Sequence, residues 1–188
     1  MLDRQPVLED EHVRLRPLRA DDWDALFAVA SDPLIWEQHP AHDRWQESVF
    51  RAFFDDALAN RGALLVHDAQ TGGVIGSSRF EGLEESDGGS VEIGWTFLAR
   101  SHWGGRWNHA MKRLMVGHAL ASLAEVRFLV GEPNIRSRRA LERIGAVLTD
   151  RREDRVMADG RVIPHLTYAI TRADFARGPL ASTPPLPG

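Results

Sequence analysis

The stretch from residue 90 to residue 130 constrains the fold more than any other. "SVEIGWTFLA" alternates in the manner of a strand, "RSHWGG" interrupts it, "RWNHAMKRLMVGHALASL" carries helical spacing, and "EVRFLVG" is a second, short apolar strand. In the first strand the alternation puts Val91, Ile93, Trp95 and Phe97 on one face and Glu92, Gly94 and Thr96 on the other. A strand, a helix and a further strand in that order predict a right-handed parallel crossover. Ligands of such units gather at the carboxyl ends of the strands, which here is the stretch around Gly104 and Gly105.

Those two glycines stand where the strand hands over to the helix. The first N–H groups of a helix have no partner within it and carry partial positive charge. Glycine lets a bulky anion approach them without meeting a Cβ, and Arg106 adds a cation beside them. This is a general way of holding phosphate at a helix start. The plain alternative is a tight turn that needs glycine for its own geometry.

The remaining elements complete a mixed α/β chain. "HVRLRP" reads as a half-buried strand, and Trp23, Leu26, Phe27 and Ala30 as a helix ended by Asp32-Pro33. "RWQESVFRAFFDDALANRG" reads as a second helix with Trp45, Val49, Phe53 and Leu58 near one face and Gly62 at its end. "ALLVHD" and "GVIGSSRFEG" flank a hairpin turn, and "SDGG" is another turn. "NIRSRRALERIG" reads as a helix, two strands follow around "ADG", and a helical fragment starts at "TRADF". Residues 1–175 are expected to form one domain and the Pro-rich residues 176–188 a loose tail.

Composition removes several classes of chemistry. No cysteine is present, which excludes disulfides, thiolate nucleophiles and Cys-type zinc sites. A net charge of −4 argues against a nucleic-acid partner. No secretory signal or membrane-length apolar run is visible, so the expected location is the cytoplasm, with no membrane partner. Eight histidines invite a metal, but His109 and His118 fall on opposite sides of their helix and His39 and His42 lack a supporting cluster; no metal is expected. Lys112 is the only lysine among 23 basic residues, a bias that base composition alone can produce.

"VEIGWTFLARSHWGGRWNHAMKRLM" followed by "NIRSRRALERIGA" resembles the GNAT superfamily of acetyl-CoA-dependent N-acetyltransferases, and more narrowly its ribosomal-protein N-terminal acetyltransferase branch. "VRLRPLRADDWDALFAVASDP" and "GRVIPHLTYAITRADF" resemble that branch too, so the likeness covers about residues 12 to 175. It implies a central, mixed, largely antiparallel sheet that splays between the strands 90–98 and 125–130, flanked by helices. The pantetheine arm of coenzyme A enters that gap. Main-chain groups of Trp95, Thr96, Phe97 and Leu98 would bond the arm as an extra strand. Trp103, Gly104, Gly105, Arg106, Trp107 and Asn108 would hold the pyrophosphate.

The same resemblance implies transfer of an acetyl group to a primary amine, either a protein N-terminal α-amine or a small molecule, by direct attack on the thioester. A related, catalytically weak or inactive acyl-CoA-binding module is the alternative. Glu92 is the candidate base. The tyrosine that commonly serves as acid is replaced by Leu141, and Ser137 is its candidate substitute. Asn134 would bond the pantetheine arm, and Arg139, from a run of arginines, the ribose phosphate. Trp36 and Tyr168 are candidates for the acceptor wall. Related proteins are often dimers, so a homodimer is an expectation.

Overall fold

The computed structural model describes residues 1–157 and 159–182. The chain forms β1 (Leu8–Glu9), β2 (Val13–Pro17), α1 (Trp23–Ala30), α2 (Pro33–Trp36) and α3 (Glu47–Asn60), then β3 (Ala63–Asp68), β4 (Val74–Glu84) and β5 (Ser90–Leu98). It continues with α4 (Arg106–Leu120), β6 (Glu125–Gly131), α5 (Ile135–Arg143), β7 (Val147–Val156), β8 (Val162–Thr171) and α6 (Arg172–Arg177). One eight-stranded sheet runs in the order β1-β2-β3-β4-β5-β6-β8-β7. The β5–β6 pair is parallel and all the others are antiparallel. This is the mixed, largely antiparallel sheet that the family resemblance implied. No helix among the described residues is long and apolar enough to cross a membrane.

Each face of the sheet has its own core. On one side Ala110, Met111, Met115, Val116 and Ala119 of α4 pack on Val91, Ile93, Val126 and Phe128. On the other, Leu26 and Ala30 of α1, Trp36 of α2 and Phe50 and Phe54 of α3 pack on Leu65 and Phe97. The helices deliver these residues by their spacing: α3 buries Phe50, Phe54 and Ala57, at i, i+4 and i+7. That corrects the face expected from Trp45, Val49, Phe53 and Leu58. Trp45 precedes the helix and is 41% exposed.

The C-terminal end is also corrected. Thr171 and Asp174 form a reciprocal cap that starts α6. Leu180 is buried in the α4-side core, and the Pro179 carbonyl accepts a bond from His109 at 2.9 Å. The packed chain therefore extends to about residue 181, not 175; residues 183–188 of the expected tail lie outside the described residues, as does Ala158 of the "ADG" turn.

Candidate functional site

β5 and β6 pair at only three positions, Ser90 with Glu125, Val91 with Val126 and Glu92 with Arg127. β5 then runs on to Leu98 and β6 to Gly131 without further pairing between them. The main-chain groups of β5 beyond Glu92 that face this gap have no strand partner there, which leaves an edge open to an extended ligand. The gap widens into a cleft of about 840 Å³. It passes through the sheet: Glu92 borders it from the α3 side and Lys112, on α4, from the other.

A bulge shapes the β5 wall. The ladder with β4 jumps from Ser77–Phe97 to Arg79–Gly94, so Ser78 faces two residues, and Trp95 takes a left-handed φ of 52°. The extra residue reverses the alternation. Val91 and Ile93 lie in the α4-side core, whereas Phe97 lies in the opposite one. Thr96 reaches Lys112, so it faces α4. The expected sharing of one face by Val91, Ile93, Trp95 and Phe97 therefore fails beyond Gly94. The Trp95 ring instead lies 4.8 Å from the buried Arg79 guanidinium.

At the mouth of the gap, Gly104 has a φ of 69°, and a Cβ there would meet nothing within 4 Å. Gly105 caps α4, and a Cβ on it would come 3.1 Å from the Trp107 ring. That ring is held in place: its N–H donates to Asp68 at 3.1 Å, and His102 approaches the same carboxylate at 3.3 Å. Burial raises the pKa of Asp68, but the N–H groups of Thr71 and Gln70 and these two side chains outweigh it and hold the carboxyl below its usual range. Asp68 thereby ties the turn to the end of β3. Trp103 donates to the Leu98 carbonyl at 2.8 Å, with the Arg136 guanidinium 4.2 Å above its ring. Of the four β5 residues expected to bond a ligand, Leu98 has its carbonyl already engaged.

The candidate residues divide as follows. Glu92 lines the cleft, and burial pushes its carboxyl up to about 7, with Arg155 opposing the rise. Ser137 lines the cleft in the first turn of α5. Asn134 is its buried N-cap: the side-chain oxygen accepts the Ser137 N–H at 3.2 Å, and the amide nitrogen makes no hydrogen bond among the described residues. Arg139 is exposed and outside the cleft, because the face of α5 turned inward is Arg136, Ser137, Ala140, Leu141 and Arg143. Tyr168 is also misplaced by the sequence reading. It is 1% exposed in the core, and its hydroxyl donates to Glu142 at 3.1 Å. Trp36 does line the cleft, while its N–H donates to the Ala30 carbonyl at 2.7 Å and its ring packs on Phe97. No group of three or more metal-binding side chains occurs among the described residues.

Two features of the cleft escaped sequence reasoning. One is Arg44, which sits over Phe53 at 4.7 Å, beside Trp36; burial and the neighbouring Arg79 lower its pKa to about 10, which leaves it cationic at neutral pH. The other is Lys112. It is 4% exposed, donates to Thr96 at 2.7 Å, and lies 5.5 Å from the Phe128 ring. No carboxylate pairs with it among the described residues, and burial alone lowers its pKa to about 7. The available signal was its identity: a chain rich in arginine keeps one lysine.

A profile of the acetyltransferase (GNAT) domain matches residues 12–147. No curated protein matches the sequence. Among solved structures, one assigned to the acetyltransferases of T. thermophilus is 27% identical, with 90% of this chain and 92% of that one covered and a TM-score of 0.74. RimJ of Mycobacterium smegmatis, solved with CoA-disulfide, is 20% identical over 94% of this chain and 90% of its own, with a TM-score of 0.68. Spermidine N-acetyltransferase of Vibrio cholerae, solved with CoA and spermine, is 15% identical over 89% and 100%, with a TM-score of 0.64. The last two share the fold.

Proposed function

Because the chain belongs to the GNAT acetyltransferase family, we propose that it moves an acetyl group from acetyl-CoA to a primary amine by direct attack on the thioester. The observation that carries this reading is the fork between β5 and β6, three paired positions followed by an open edge, with the free first turn of α4 at its mouth. The residues present fit coenzyme A. Trp95, Thr96 and Phe97 offer main-chain groups to the pantetheine arm. Gly104 leaves room for the pyrophosphate, and the N–H groups from Gly104 to Asn108, with Arg106, hold it. The Asn134 amide is available to the arm, and Arg143 replaces Arg139 as the cation for a further phosphate.

Acetyl-CoA supplies an activated acyl group, and the protein supplies position and proton transfer. Glu92 takes the proton from the attacking amine, directly or through a water; a carboxylate whose pKa lies near 7 suits that task at neutral pH. The acceptor approaches on the Glu92 side, past Trp36 and Arg44. It is a protein N-terminal α-amine, as the resemblance to the ribosomal-protein branch implies, or a small amine, the class that the name of the Vibrio cholerae spermidine N-acetyltransferase gives for that protein.

The test is incubation with acetyl-CoA and a panel of short peptides and small amines, following release of free thiol. Acceptor-dependent release supports the proposal. Binding of coenzyme A with no release across the panel supports the inactive acyl-CoA-binding module instead.

A further inference from the structure

A direct acyl transfer has two proton problems, one at the nucleophile and one at the leaving sulfur. Glu92 addresses the first. The second has no evident donor on α5: Leu141 has no proton to give, and a serine hydroxyl such as that of Ser137 is a weak acid. The gap itself shows another group. Lys112 lies one and two-thirds turns into α4, so its Cα is about 9 Å along the axis from the start of the helix. Its amine bridges the two diverging strands from beneath, bonded to Thr96 on β5 and 5.5 Å from Phe128 on β6, the residue after the last paired position. Anything that fills the fork lies over this nitrogen. Its fixed partners are hydroxyls, Thr96 at 2.7 Å and Ser78 at 3.5 Å. Two hydroxyls give little to offset the desolvation of an ammonium.

Resting on the acetyl-transfer reading above, we propose that Lys112 receives the departing sulfur of coenzyme A and gives it a proton. The base and the acid then stand on opposite faces of the sheet. The amine nitrogen bonds to the acyl carbon and the carbon–sulfur bond breaks. The amine's proton passes to the Glu92 carboxylate, and the sulfur takes a proton from the Lys112 ammonium. Solvent afterwards reprotonates Lys112 and deprotonates Glu92.

The surroundings suit a group that must give up a proton near neutral pH. Burial brings the amine to about 7, and the other charged or titratable groups of the cleft are arginines and histidines except Glu92. They are Arg106 and His109 on α4, Arg136 and Arg143 on α5, Arg155 on β7, His165 on β8, His102 in the turn, and His39 and Arg44 after α2. None of them forms an ion pair with Lys112.

Calorimetric titration of the intact protein with coenzyme A and with desulfo-coenzyme A, which lacks only the thiol, reads this contact without turnover. The wild type is expected to bind coenzyme A roughly tenfold more tightly than the desulfo form. Lys112→Met should bind the two alike, with desulfo affinity near wild type, which also shows that the cradle is intact. Lys112→Arg should restore part of the preference while lacking a readily lost proton. Ultraviolet absorbance of the bound thiol should show thiolate at lower pH in the wild type than in Lys112→Met. Equal affinities in the wild type, or a preference that survives Lys112→Met, overturns the role of Lys112 alone. Failure of the wild type to bind either ligand overturns the acetyl-CoA reading on which it rests. If Lys112→Met does not fold, the wild-type comparison and Lys112→Arg still decide the matter.

Discussion

Half-buried Glu92 and buried Lys112 form no salt bridge among the described residues, and desolvation moves their pKa values in opposite directions, to about 7 each. For Glu92 the folded pKa lies above the ordinary 4.5, so the folded state holds its proton longer than the unfolded chain does. The stability linked to it is complete below about pH 4.5 and is lost as pH rises through 7. For Lys112 the folded pKa lies below 10.5; its contribution is complete above that value and is lost as pH falls through 7. A functional consequence follows for the base. Wild-type kcat/KM should fall on the acid side of about pH 7, as Glu92 protonates. Glu92→Gln should cost about a hundredfold above that pH, progressively less below it, and abolish the acid limb. The same variant should melt at a higher temperature than wild type above pH 7, where it no longer buries a charge. A pH–rate profile with parallel thermal melts checks both. An acid limb retained in Glu92→Gln removes that residue from the role.

At the scale of elements, the glycine turn proposed to hold the pyrophosphate is fastened from outside. Asp68 ends β3, yet it fixes His102 and Trp107, one on either side of the glycines. Asp68→Ala should release both and leave buried donors unpaired, at a cost on the order of 1–3 kcal/mol. Coenzyme A binding should weaken by about tenfold as the turn loosens, and calorimetry against the wild type measures it; unchanged affinity would show that the turn holds itself. The strand–turn–helix–strand plan of this region was legible because alternation, paired glycines and helical spacing each mark a boundary. The bulge at Trp95 was not. Val91, Ile93, Trp95 and Phe97 alternate without a break in sequence, and the extra residue shows only against the register of β4. Arg139 was chosen from a run of arginines that differ only in angle about α5, and the inward face emerges only once the helix is docked.

For the whole molecule, the one parallel pair followed from the order of elements between residues 90 and 130, and the family resemblance supplied the mixed sheet and placed the splay correctly. What stayed hidden depends on contacts distant in sequence. Tyr168 pairs with Phe128 and Leu148 and lies in the core on the α4 side of the sheet. The burial of Lys112 depends on Thr96, Ser78 and Phe128, which belong to three different strands. The fork has one more consequence. Since it pierces the sheet, the proposed reaction would give donor and acceptor separate doorways, and neither would have to vacate the protein before the other arrives. Initial-rate plots at several fixed concentrations of the second reactant should therefore intersect; parallel lines would mean that the acyl group is parked on the protein between two half-reactions.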